Sequence, residues 1–148
     1  AATMAGVYAS RTRGRWFAQA ELYGMRVRSQ AGGDPFFWGG YVMAGCWLTG
    51  ECRELADGHV LPYRICSPLD PCDDRDGLGG IELAARISTV DLNDGRIFGG
   101  TMTNLSLELN WHLRSQRRIM FNFVRAGIDD GIADEPIYIF QTRLQLSF

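Results

Sequence analysis

The chain contains no lysine; each of its 15 basic residues is an arginine. Arginine grips phosphate and carboxylate with a planar fork, so anion recognition stays open. A GC-rich genome explains the same bias, and the role of each arginine has to be argued at its own position. The formal net charge is −2, which excludes the basic footprint of a nucleic-acid binder. No stretch reaches the roughly 20 apolar residues of a membrane helix. That excludes helical spans alone, because a barrel strand needs only about 10 residues and leaves a much weaker signal. The opening AATMAG lacks the basic start and apolar run of a signal peptide, so either a leader has been removed or the chain is a piece of a longer one.

Reactive chemistry is sparse as well. The two histidines, His59 and His112, have no partner at ligand or triad spacing, and no nucleophile motif such as G-x-S-x-G occurs. The CDDRDG run at 72–77 has the outline of a calcium loop. It fails because Cys72 takes the first ligand position and Leu83 the twelfth, where glutamate is required. The NLS triplet at Asn104 matches a glycosylation acceptor but lies inside a strand pattern. No enzyme, metal or cofactor is expected. The four cysteines, Cys46, Cys52, Cys66 and Cys72, cluster around one loop, and the spacing from Cys46 to Cys52 repeats from Cys66 to Cys72. Clustering and even number predict disulfides and an oxidising compartment. Free thiols are the first rival; structural zinc is the second, without its tight C-x₂₋₄-C spacing.

What is present is alternation. Apolar residues make up 46% of the chain, enough for one domain over 1–148, and they recur every second position with no helical period. Strands are predicted at Thr3–Ser10, Trp16–Arg28, Phe36–Leu48, Ile81–Leu92, Gly100–Leu113, Arg118–Ala126 and Ile137–Phe148. RTRGR at 11–15, SQAGGDP, NDG at 93–95 and RSQR read as turns, and Thr49–Gly79 as a long irregular loop. The pattern is cleanest where Leu105, Leu107, Leu109, Trp111 and Leu113 alternate with Asn104, Ser106, Glu108, Asn110 and His112.

Two architectures accept such strands. A soluble sheet buries the apolar face and wets the polar one; a membrane barrel turns the apolar face to lipid and the polar face to a water-filled lumen. The barrel is favoured on three counts. Several segments run past ten residues, where soluble strands average about five or six. Short turns alternate with longer polar loops. The chain closes on QTRLQLSF, in strand register to an aromatic last residue.

The stretches AQAELYGMRV, GGYVMAGCWLTGE, IELAARISTVDLNDG, TNLSLELNWHL, RIMFNFV and the final RLQLSF carry a family resemblance. From about Trp16 onward the chain resembles the C-terminal part of the phosphate-selective (polyphosphate) porins of bacterial outer membranes, most specifically through LTGE at Leu48–Glu51 and the ELAARIS…DLNDG block. The resemblance implies an all-β, antiparallel transmembrane barrel of 16 strands, a homotrimer in contact with outer-membrane lipid, passing small anions such as phosphate or polyphosphate by diffusion. This chain would supply seven C-terminal strands. The others would come from a missing N-terminal portion or from another chain. Phe148 would be the signal read by the insertion machinery.

Register then names candidate pore-lining residues. Arg86 shares a face with Glu82 and Ser88, Arg118 with Asn122, and Arg143 with Gln141, Gln145 and Ser147; Glu108 lies on the polar face of its own strand. An arginine ring favours anions by attraction and forked hydrogen bonds. The plainer alternative is that these arginines pair with Glu21, Glu82 and Glu108 and only brace the wall. Counting back from a periplasmic C-terminus puts the Thr49–Gly79 loop on the periplasmic side, where Arg53, Arg64 and Arg75 form a candidate constriction; a solvent-exposed loop held by disulfides is the alternative. The competing reading of the whole chain is a soluble, secreted, disulfide-stabilised β-sandwich binding module, with the Leu105–Leu113 face in its core.

Overall fold

The structure is a computed structural model. It describes residues 1–28, 33–49, 55–56, 59–60, 77, 79–114, 116–129, 131 and 135–147. Seven long strands form one antiparallel sheet: β1 (Ala2–Arg13), β2 (Trp16–Val27), β3 (Phe36–Trp47), β6 (Gly80–Asp94), β7 (Ile97–Arg114), β8 (Arg117–Asp129) and β9 (Ile137–Leu146). Two short strands, β4 (Leu55–Ala56) and β5 (His59–Val60), pair separately within the segment read as irregular. The sheet order is β1-β2-β3-β6-β7-β8-β9, so each strand pairs with its sequence neighbours and β1 and β9 are the edges.

Strand length follows from the turns. Pairing runs until a turn forces φ positive, as at Gly95 with φ 58° between β6 and β7. The ladder therefore outlasts the predicted boundaries. The β1–β2 pairing continues through Arg11 opposite Ala18 and Arg13 opposite Trp16, leaving only Gly14 and Arg15 as the turn, where all of RTRGR was expected. Likewise β7 starts at Ile97 rather than Gly100. A 12-residue strand such as β2 rises roughly 40 Å. Tilted by about 40°, it climbs roughly 30 Å, enough to cross the apolar band of about 25 Å of a membrane barrel.

The two faces follow the period of two. On one face lie Val7, Leu22, Val42, Leu83, Ile87, Leu105, Leu107, Leu109, Phe123, Phe140 and Leu144. These are not core residues: Leu107 is 48% exposed, Phe140 70% and Leu144 63%. Among the described residues no second sheet covers this face, whereas a sandwich needs one packed about 10 Å away. Soluble monomers rarely leave so much contiguous apolar surface uncovered, so the sandwich reading loses its core. Among the described residues the buried hydrophobic side chains are few, and Phe17 and Trp47 are the large ones. Both lie on the opposite face: Phe17 is opposite Gly45, and Trp47 is opposite Glu82. Gly45 is needed there, because a Cβ would meet the Phe17 ring and lie 2.6 Å from the carbonyl oxygen of Leu83.

Cys46 is a free thiol, against the expectation that it joins a disulfide. The reason is positional: it lies on the apolar face, opposite Trp16 and Leu83. Cys52, Cys66 and Cys72, the constriction candidates Arg53, Arg64 and Arg75, and Phe148 lie outside the described residues.

A candidate permeation surface

The polar face of the sheet collects the side chains that sequence register had grouped strand by strand. Pairing lines them up in cross-strand rows. One row runs Tyr8, Glu21, Tyr41, Ser88, Asn104. The next runs Ser10, Gln19, Met43, Arg86, Ser106. Then come Ala84, Glu108, Asn122 and Gln141, and after them Trp47, Glu82, Asn110, Met120 and Arg143. The last row holds His112, Arg118 and Gln145. Every residue predicted to line the pore in the described part of the chain lies on this face.

Two of the three arginines, Arg86 and Arg118, are positioned by uncharged neighbours. Arg86 is exposed, and its guanidinium carbon lies 4.1 Å from the centroid of the Tyr41 ring. Stacking on an aromatic face orients the plane and leaves the N–H edge available. The same residues border a concavity of about 210 Å³, lined also by Tyr23, Ser88 and Asn104. Arg118 donates to Gln145 Oε1 twice, from Nε at 2.9 Å and from Nη2 at 2.8 Å. Arg143 is exposed and lies opposite Met120. Among the described residues none of the three is ion-paired, so bracing by Glu21, Glu82 or Glu108 is not what positions them.

The two predicted acids differ from one another. Glu108 is half-buried between Ala84 and Asn122. Glu82 is fully buried. Its Oε2 accepts from Asn110 Nδ2 at 3.4 Å and lies 3.4 Å from His112 Nε2. The Trp47 ring is tilted at 45° over His112, with centroids 5.0 Å apart. A buried carboxylate needs such partners because desolvation is costly. His112, without a partner at any motif spacing, has one across the β6–β7 ladder; spacing along the chain carries no signal of that. The contacts of Tyr41 with Arg86 and of Gln145 with Arg118 were not foreseen for the same reason, since they come from the neighbouring strand. Among the described residues no cluster of His, Cys, Asp and Glu is arranged to hold a metal.

Comparison with known proteins gives two findings. The family model described as phosphate-selective porin O and P matches residues 2–148. A protein of Caulobacter vibrioides, itself described as uncharacterized, is 28% identical over 149 residues, covering 97% of this chain and 29% of that protein. The chain thus spans less than a third of the length of the curated relative it matches.

Proposed function

The chain belongs to the phosphate-selective porin O and P family, and from that premise we propose that it forms part of the wall of a water-filled barrel in a bacterial outer membrane, through which small anions diffuse without catalysis. The sheet's apolar face meets lipid, its polar face lines the water, and the rim at which β9 ends faces the periplasm. Further strands pair with the edges β1 and β9 to complete a barrel of 16, because an unpaired edge in lipid would leave N–H and C=O groups unsatisfied. The complete protein is a homotrimer in this reading, and phosphate or polyphosphate is the physiological permeant.

The observation that carries the anion preference is the state of the polar-face arginines. Arg86 rests on Tyr41, Arg118 on Gln145, and Arg143 stands exposed, and none of them makes an ion pair among the described residues. A fixed positive potential in a narrow aqueous path lets a permeant anion exchange part of its hydration for guanidinium contacts, with each contact weak enough for release. Glu21 and Glu108 oppose this locally; Glu82 is buried among its partners. Reversal potentials of the full-length protein in planar bilayers under a KCl gradient test the reading. Anion selectivity is expected, weakening in Arg86→Glu and Arg143→Glu and with rising salt, as the Debye length falls from about 10 Å at 0.1 M to about 3 Å at 1 M. A cation-selective wild type overturns the reading. Inhibition of chloride conductance by inorganic phosphate would extend it to the substrate, and equal conductance with and without phosphate would remove that part.

A further inference from the structure

Among the described residues the outer face carries charge, distributed unequally between the two rims. At the rim of the Gly14 and 114–117 turns, Arg11 and Arg13 continue the outward register of Val7 and Ala9 on β1 and are exposed. Arg13 pairs in register with Trp16, an indole 56% exposed on the same face. The guanidinium of Arg15, in the turn, lies 5.7 Å from the centroid of that indole ring. Farther along the same rim Arg117 is exposed, opposite Leu146. Among the described residues no aspartate or glutamate stands on the outer face of this rim, and Arg11, Arg13, Arg15 and Arg117 make no ion pair. The opposite rim is balanced: Arg26, Arg28, Arg96 and Arg125 are accompanied there by Asp34, Asp91, Asp94 and Asp129.

We propose that the Arg11–Arg13–Arg15–Trp16 corner binds the phosphate headgroup of an anionic glycerophospholipid, such as phosphatidylglycerol, in the leaflet that meets this rim. The inference rests on the barrel reading above, which turns this face to lipid and this rim to the periplasmic side. A tryptophan belongs at the boundary between hydrocarbon and water, its ring apolar and its N–H polar. Arginine stems lie along apolar surface while their heads reach the headgroup level. A guanidinium meets a phosphate diester with paired N–H donors, which a zwitterionic headgroup's own ammonium would compete for. Three such heads within five residues of chain, around one indole, make a corner specific for net negative charge. Arg11 and Arg13 cannot serve the permeation path, because they lie on the apolar side of the sheet and Arg86, Arg118 and Arg143 on the other.

The test uses the full-length protein in vesicles mixing phosphatidylcholine and phosphatidylglycerol. Native mass spectrometry of the extracted protein then counts which lipid is retained. A basic residue near an anionic surface strengthens binding roughly fivefold, so the wild type should retain phosphatidylglycerol over phosphatidylcholine by at least about tenfold. Arg11→Gln/Arg13→Gln/Arg15→Gln should lose that preference, and Arg26→Gln/Arg28→Gln, at the balanced rim, should keep it. Should the triple variant fail to fold, Arg13→Gln alone should lower the ratio by about fivefold. Equal retention by the wild type, or an unchanged ratio in the corner variants, overturns the proposal. The barrel reading is checked separately with brominated phosphatidylcholine in vesicles of that lipid alone. Tryptophan quenching there with no phosphatidylglycerol preference defeats this inference and leaves the barrel standing. Absence of quenching defeats the barrel and this inference with it.

Discussion

Leu107→Arg is the substitution that most directly separates a lipid-facing sheet from a solvated one. Leu107 lies near the middle of β7, opposite Ala85 on β6 and Phe123 on β8, and is 48% exposed. If its surroundings were water, a guanidinium there would be nearly neutral in effect, since exposed substitutions are usually within about ±0.5 kcal/mol. If its surroundings are hydrocarbon near the bilayer midplane, the cost is about 2–4 kcal/mol, a shift of roughly 30- to 700-fold in the folding equilibrium. Depth adds a second dimension. Thr103 is on the same face of β7, two turns of the alternation toward the rim, and Thr103→Arg should cost about 0–1 kcal/mol if it lies near the interface. Ser106→Arg, on the polar face, should cost no more than Thr103→Arg. The assay is reversible denaturant unfolding of the full-length protein from phosphatidylcholine vesicles, followed by tryptophan fluorescence. A Leu107→Arg protein as stable as Ser106→Arg, or an equal cost at 103 and 107, would refute the lipid-facing assignment.

Three further outcomes are expected. Gly45→Ala should destabilise the protein by about 1–3 kcal/mol in the same unfolding assay, because the new methyl meets the Phe17 ring and a backbone carbonyl that cannot give way; an unchanged midpoint would show that the sheet adjusts freely. Glu82→Ala takes away the acceptor for Asn110 Nδ2 and the neighbour of His112 Nε2, and should cost about 1–3 kcal/mol for each buried donor left unmet; Glu82→Gln should recover part of this, and a neutral Glu82→Ala would mean the cluster is wet. Cys46, on the apolar face, should react with a membrane-soluble maleimide and resist a charged thiosulfonate, the difference disappearing in Cys46→Ala; faster labelling by the charged reagent would place it in water.

The fold was legible because a strand's side chains alternate strictly, so the sequence assigns each residue to a face before any partner is known. The stripe from Leu105 to Leu113 and the opposing Asn104 to His112 series are one such assignment, and the sheet preserves it. Which solvent meets which face is a separate question. Alternation is the same in a sandwich and in a barrel, and strand length is what favours the barrel: the structure lengthens the expected Gly100–Leu113 strand to 18 residues, against a usual five or six. The ends were read less well. The expected turn at RTRGR was too generous because arginine and threonine extend a ladder readily, and only Gly14, with φ 56°, has a backbone that ends it.

The site was legible in one dimension and hidden in the other. Register along a strand puts Arg86, Arg118 and Arg143 on the polar face, but what each arginine touches depends on cross-strand offset, which is set by turn lengths and bulges. The Arg86–Tyr41 stack joins residues about 45 positions apart, and the Arg118–Gln145 pair joins residues 27 apart across the β8–β9 connection. Carboxylates on the same face were the obvious partners by charge. The ladder instead puts Glu82 in the row of Asn110 and within reach of His112, and places Glu108 between Ala84 and Asn122. A pairing shifted by two residues along β6 would set Glu82 opposite Glu108 or His112 and change which charges are cancelled, while leaving every face assignment intact. In the channel proposed above, selectivity would then depend more on the offsets between strands than on the composition of any one of them. Lengthening the 94–97 turn so that the β6–β7 ladder slips by two should alter ion selectivity without changing a single polar-face residue.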